Sequence, residues 1–431
     1  MAIPASSTIG QISGARDAEA RARLPNPMTQ PHITARYAQK REDIIVAATS
    51  ILNAEGVKGM TLSDVGARVG LSTTSVTYYF KKKEELAATC LTRSIAAFRQ
   101  LSLTAAEKPT VRERVAAFLD GYLDLDLSIR LGKRADVAYL GEIRALREPQ
   151  LSVINAEFSD LVRSVRRLLD PVEGPRLASD DRRARGLILL EQLFWSSTWL
   201  HEYDPEDYSR VRDRILDILL NGLIADRPGW GSDHPPLPEH APEEKDREVF
   251  LIVATRLINQ RGYRGASVED ISAELNVTKG SFYHHNETKD ELAERCFQRT
   301  FAVLEGRQRA CLALNADFAT RLTSVLSDLC RFQLSERGPL IRASALWPLP
   351  EPLRGLLIGR YQRITRRFTG MISDGIADGT LRAVDPVIAS RMLTSAINGC
   401  AGLSTWLPDI KATEVHDRYV RPLMVGLLSD D

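Results

Sequence analysis

Apolar residues recur three and four positions apart from about residue 37 to residue 226, and again from about residue 245 to residue 428, with few strand signals between them. That spacing predicts helices almost throughout. The pattern also repeats: Arg41 to Leu86 aligns with Arg247 to Leu292 at a constant offset of 206 residues without a gap, and thirteen of the 46 positions are identical. Ile44, Ile45, Ala48, Ile51 and Leu52 share one face of a first helix, as do Phe250, Leu251, Ala254, Leu257 and Ile258. Gly56 and Gly262 should end these helices, because a left-handed residue costs glycine little. Thr61 and Ser267 are natural N-caps for a second helix, each with an aspartate three residues on that favours the helix dipole. This helix would bury Leu62, Val65 and Val69 in one copy, and Val268, Ile271 and Leu275 in the other. A repeat period near half the chain predicts two structural units.

After the second helix stands Gly70 in one copy and Asn276 in the other, the two residues that most readily accept positive φ in a tight turn. Ser72 and Thr278 can then cap a short third helix, Thr73 to Tyr79 in one copy and Lys279 to His285 in the other. Small hydroxyls, a glycine, hydrogen-bonding tyrosine and histidine, and a lysine opening the next helix are the side chains that grip a DNA backbone and read base edges. The candidate DNA face is therefore Thr61, Ser72, Thr73, Thr74, Thr77, Tyr78, Tyr79 and Lys83 in the first copy. In the second it is Ser267, Thr278, Lys279, Gly280, Tyr283, His284, His285 and Lys289. Adjacent histidines on a helix point about 100° apart and no other ligand cluster is near, so no metal is expected.

Composition adds limits rather than direction. With 431 residues, 44% hydrophobic and 26% charged, the chain has material for two ordinary domain cores. A net charge of +1 gives no general sign of a nucleic-acid or membrane partner, so that claim rests on the local sites alone. Cys90, Cys296, Cys311, Cys330 and Cys400 are scattered with no CxxC, which suits a reducing compartment; with neither a signal peptide nor a transmembrane span in the pattern, a cytoplasmic protein is expected. The expected domains are a flexible arm over residues 1–36, a DNA-binding head over 37–86 and a larger helical domain over 87–226. A proline-rich linker over 227–244, able to span at most roughly 60 Å, leads to a second head over 245–292 and a second helical domain over 293–431.

The run Gly70, Leu71, Ser72, Thr73, Thr74, Ser75, Val76, Thr77, Tyr78, Tyr79, Phe80, then Lys83 and Leu86, resembles the tetracycline-repressor (TetR) family of bacterial transcription regulators. So does Asn276, Val277, Thr278, Lys279, Gly280, Ser281, Phe282, Tyr283, His284, His285, then Lys289 and Leu292. Two departures stand out: Thr77 replaces a tyrosine usual in the family, removing a phosphate contact, and Asn286 replaces the phenylalanine kept as Phe80. The resemblance implies an all-α fold of two tandem units, each a three-helix head followed by a larger helical domain whose last two helices make a dimer through a four-helix bundle. Arg183 to Glu202 with Tyr208 to Leu223, and Val387 to Leu407 with Thr413 to Leu428, suit that role, so one chain is expected to be a monomer folded as an internal pseudo-dimer. The resemblance further implies a small-molecule effector among the middle helices, an apolar or aromatic acid or an acyl-coenzyme A thioester. Candidate contacts are Tyr139, Glu142, Arg144, Trp195 and Trp199 in the first half, and Arg342, Trp347, Arg363 and Trp406 in the second.

No G-x-S-x-G, H-E-x-x-H, Walker loop or dinucleotide fingerprint occurs, so no catalytic residue and no cofactor is expected. The reading is a ligand-responsive repressor on double-stranded DNA, with no membrane partner, whose two unlike heads select an asymmetric operator. The alternative is a ligand- or partner-binding derivative in which one head no longer binds DNA.

Overall fold

A computed structural model describes residues 35–171, 177–226, 234–238, 245–274 and 288–428. The chain divides into two compact units, Met1–Glu42 and Asp43–Asp431. The described part of the first is the opening of helix α1 (Ala35–Gly59), while the second holds both repeats and the packing between them. The described residues are all-α: no strand forms among them, and one isolated bridge joins Ile224 to Leu381.

In the first half, the regular turn of α1 breaks at Gly56, whose φ is +69°. Helix α2 (Leu62–Val69) starts where the Thr61 hydroxyl accepts from the Asp64 N–H, and it stops at Gly70, which turns left-handed at φ +67°. Helix α3 (Thr73–Tyr79) starts at the Ser72 cap, so local turn chemistry sets the whole head. Helices α4 (Lys83–Ala106), α5 (Val111–Arg130) and α6 (Gln150–Arg167) follow, with a 3-10 turn over Leu140–Ala145 before α6. Thr110 and Glu113 form a reciprocal capping box that fixes the start of α5. Then come α7 (Ser179–Ser196) and α8 (Tyr208–Asn221).

The second half repeats the plan. Helices α9 (Lys245–Arg261) and α10 (Val268–Glu274) belong to its head, with Gly262 at φ +71° between them. Its remaining helices are α11 (Lys289–Leu312), α12 (Phe318–Leu334), α13 (Glu351–Ala377), α14 (Pro386–Cys400) and α15 (Leu403–Trp406). A π-helical turn over His416–Val420 runs into α16 (Arg421–Val425). The symmetry reaches single atoms: Cys90 Sγ points at the Ile45 carbonyl at 3.6 Å, and Cys296 Sγ at the equivalent Leu251 carbonyl at 3.8 Å. All five cysteines are buried and none forms a disulfide, each placed as a small apolar side chain. Of the proline-rich connection, residues 234–238 run along the second half, where His234 stacks on His416 at 4.2 Å and Leu237 is buried.

The halves join through α7 and α8 on one side and α14, the π-turn and α16 on the other. Buried polar groups in this seam are paired across it: Gln192 donates to the Met392 carbonyl at 2.9 Å and Arg185 to the Leu427 carbonyl at 2.6 Å. At its end, Leu223 N–H donates to the Met424 carbonyl at 2.7 Å, and Leu427 N–H to the Leu219 carbonyl at 2.8 Å. Gly222 and Gly426 make this exchange possible. A Cβ on Gly222 would stand 2.3 Å from the Met424 oxygen, and one on Gly426 2.3 Å from the Leu220 oxygen.

Candidate nucleic-acid interface and effector cavity

The turn between α2 and α3 is tied by Leu71 N–H donating to the Gly66 carbonyl at 2.8 Å. It presents α3 with Val76 and Phe80 inward and Thr73, Thr74 and Tyr78 outward. Tyr78 is 68% exposed, a large aromatic left in water by its own head, with Tyr79 edge-on to it at 5.3 Å. The Thr77 hydroxyl donates to the Thr73 carbonyl at 2.9 Å, so this departure from the family pattern is satisfied within α3. Thr61 and Ser72 are exposed and engaged as caps at the N-termini of α2 and α3. Lys83 does more than extend into solvent: its Nζ donates to the Lys58 carbonyl at 2.8 Å and to that of Met60 at 3.2 Å, closing the end of α1.

In the second head, Ser267 caps α10 through the Asp270 N–H at 3.1 Å, and the hydrogen bond from its hydroxyl, with Arg261 close by, lowers the Asp270 carboxyl to about 2. Thr278, Lys279, Gly280, Tyr283, His284 and His285 lie outside the described residues, as do Asn276 and Asn286. Lys289 stands over the Tyr263 ring at 4.5 Å. Burial, with Lys58 and Arg264 adding like charge, lowers it to about 8. Lys58 belongs to the first head, and its Nζ donates to the Gly265 carbonyl at 3.3 Å. The two heads therefore touch where their first helices end, and Lys58, Arg264 and Lys289 gather positive charge there.

Behind the heads lies a cavity of about 410 Å³. Its apolar wall is Phe98, Leu125, Ile129, Phe158, Phe194 and Trp195 of the first half, and Arg342, Ser344 and Asn398 of the second close it. Tyr139, beside Ser344, lines this space. Burial raises the Glu191 carboxyl, against the pull of Arg342 and Arg144; the same burial, with Arg144 beside it, lowers Arg342 to about 10.

Of the residues expected to meet an effector, Tyr139, Arg144, Trp195 and Arg342 converge on this one cavity, although they come from different halves. Trp406 lines an adjoining cleft of about 650 Å³ that shares Arg144, Glu191 and Arg342. Glu142 and Trp347 line a smaller pocket of about 250 Å³ nearer the heads, where Glu142 accepts from the Val57 N–H at 2.9 Å. Two expectations are corrected. Trp199 is buried in the seam, with Arg391 over its ring at 5.3 Å and Tyr203 beside it, because α14 covers it. Arg363 is exposed on α13 and on the wall of none of these described cavities, because its turn of helix faces outward.

Sequence reasoning missed Asn53 and Glu191. Asn53 Nδ2 donates to the Val137 carbonyl at 2.9 Å, and its Oδ1 accepts from Tyr139 N–H at 2.8 Å. Asn259 makes the same pair of bonds, to the Leu340 carbonyl at 2.8 Å and from Arg342 N–H at 2.9 Å. Tyr139 and Arg342 are thus equivalent positions, each tied to the last turns of a head's first helix. The signals were present: asparagine stands at both equivalent positions of the repeat, and Glu191, with Gln192, interrupts the apolar run from Leu187 to Phe194.

The family model for bacterial regulatory proteins of the tetR family matches residues 44–90 and 250–296, the two heads. The HTH-type transcriptional repressor DhaR of Mycobacterium sp. (strain GP1) is 30% identical over 142 residues, which cover 32% of this chain and 67% of that repressor. The chain belongs to the tetR family. The Transposon Tn10 TetC protein of Escherichia coli is similar at 24% identity over 148 residues, 33% of this chain and 70% of that protein. Among solved structures, the TetR family regulator PfmR from Thermus thermophilus superposes with a TM-score of 0.36 at 23% identity, covering 42% of this chain and 99% of its own. This tetR-family chain is a DNA-binding transcriptional regulator carrying two tandem helix-turn-helix units. Among the described residues no helix is long and apolar enough to cross a membrane.

Proposed function

We propose that this regulator is a repressor that holds both heads of a DNA clamp in one chain, binds an operator of two unlike half-sites, and releases it when a small apolar acid enters the cavity between the halves. The observation that carries the ligand response is the pair of asparagine clamps. Asn53 and Asn259 connect each head's first helix to the backbone of Tyr139 and Arg342, and those two side chains are cavity wall. A ligand that displaces either side chain pulls on a head, and a change in head spacing is what DNA senses, since half-sites sit at fixed helical separations. DNA contact falls to Thr61, Ser72, Thr73, Thr74, Thr77, Tyr78, Tyr79 and Lys83 of the first head, and to the equivalent surface of the second.

The asymmetry follows from side-chain chemistry. Where one recognition segment offers Thr73, Thr74, Thr77, Tyr78 and Tyr79, the other offers Lys279, Gly280, Tyr283, His284 and His285. These cannot present the same donors and acceptors to a major groove, and each good base contact discriminates by about 1 to 3 kcal/mol. Selection from random duplexes, with footprinting by a cleavage reagent attached near Lys83, tests the proposal. Two different half-sites, with cleavage confined to one of them, are expected; a perfect palindrome cut equally on both sides would overturn it.

A further inference from the structure

We infer that the cavity is a single anion site shared by the two halves: one small monoanionic ligand per chain, its acid group on Arg342 and Arg144 and its apolar body against Phe98, Phe158, Phe194 and Trp195. The inference rests on the reading of this protein as ligand-responsive and specifies what the ligand is and how many bind. A volume of about 410 Å³ lies within the range of roughly 300 to 1,000 Å³ in which small-molecule sites fall.

Three observations fix the chemistry. Arg342 Nε is a buried donor with no hydrogen-bond partner among the described residues. Such a group is costly unless something accepts from it, and a carboxylate or sulfonate matches its planar fork. Next, two guanidinium groups, Arg144 and Arg342, stand in the wall against one carboxylate, Glu191, whose charged form burial disfavours. The other acids of the wall are otherwise placed: Asp126 accepts from the Tyr208 hydroxyl at 3.1 Å, and Asp136 is exposed to solvent. Finally, the clamps make Tyr139 and Arg342 equivalent positions, yet both reach the same cavity. The site therefore straddles the junction of the halves, and because one mate is a phenol and the other a cation, it has one charged end. A chain of two units then takes one ligand rather than two.

The full-length protein should bind 8-anilino-1-naphthalenesulfonate, an aromatic monoanion that fluoresces on burial, at one per chain. N-phenyl-1-naphthylamine is its neutral counterpart. Arg342→Gln should weaken the sulfonate about tenfold or more and leave the neutral probe within about twofold, and Arg342→Lys should recover part of the loss. Ser344→Trp, which fills the cavity without touching its charge, should exclude both probes and serves if Arg342→Gln fails to fold. Two sulfonates per chain, equal loss of both probes in Arg342→Gln, or probe binding unchanged by Ser344→Trp would overturn the site. Operator retention in the same samples separates the two readings: sulfonate bound as described without any change in DNA affinity sinks the ligand response and leaves the site standing.

Discussion

At the residue scale, the lysine that opens the helix after each recognition segment shows what position alone hides. Lys83 and Lys289 are equivalent in the repeat, and the sequence places both in the candidate DNA face. Their surroundings were not. Lys83 gives two of its three N–H donors to the carbonyls that end α1, while Lys289 is partly buried against Tyr263 with Lys58 and Arg264 facing it. Of these neighbours only Lys58 reaches Lys289 from the other head, and that approach is one no local pattern encodes. Lys83→Ala should lower the salt slope of DNA binding by about one unit, as one counterion fewer is released. Lys289 should add a pH dependence. It is charged below about 8 and neutral above, and a phosphate favours the charged form, so its value is higher in the complex than in free protein. Affinity should hold below pH 8 and fall as pH rises from 8 toward the bound value. Titration of duplex binding between pH 7 and 9 checks this, and Lys289→Met should flatten the curve; an unchanged curve in that variant removes Lys289 from the interface.

At the element scale, the helix ends carry the fold. The caps at Thr61, Ser72 and Ser267 and the left-handed Gly70 could be placed from sequence because each depends only on residues within four positions. The echo of Gly222-Leu223 in Gly426-Leu427 was also visible, but its meaning was not, since nothing in the chain says that two ends 204 residues apart cross. Each glycine holds a positive φ, +67° and +102°, and each lies against the other half's backbone. Gly426→Ala combines a conformation that costs an L-residue about 1 to 3 kcal/mol with a collision at the Leu220 carbonyl. Gly262→Ala is the internal control, because its φ of +71° carries backbone strain while nothing stands within 4 Å of the new Cβ. In denaturant unfolding Gly426→Ala should lose at least about 1 kcal/mol more than Gly262→Ala; equal losses would mean that the crossed ends yield freely.

At the scale of the whole molecule, the question is what the second unit is for. The duplicated pattern was enough to foresee two tandem units, and the resemblance of both tails to bundle helices pointed to the segments at their junction. The effector candidates, by contrast, were divided between two separate sites because sequence is read one half at a time. The halves are locked by groups that differ between them. Arg382 reaches both Asp217 oxygens, at 2.8 and 3.0 Å, and the Gly222 carbonyl, while Arg418 pairs with Asp181 at 2.6 Å across the same seam. Such unlike pairing suits one partner, the other half of the same chain, and covalent linkage supplies that partner at an effective concentration that reaches millimolar. A second chain at micromolar concentration cannot compete. Light scattering should therefore return the 48.0 kDa of one chain across the micromolar range. Charge reversal at the seam, Arg382→Glu, should cost stability without creating a dimer, and Asp217→Arg in the same molecule should restore part of it. A mass of two chains, or a dimer whose population rises with concentration and carries the seam between chains, would show that the two heads on one operator come from different molecules.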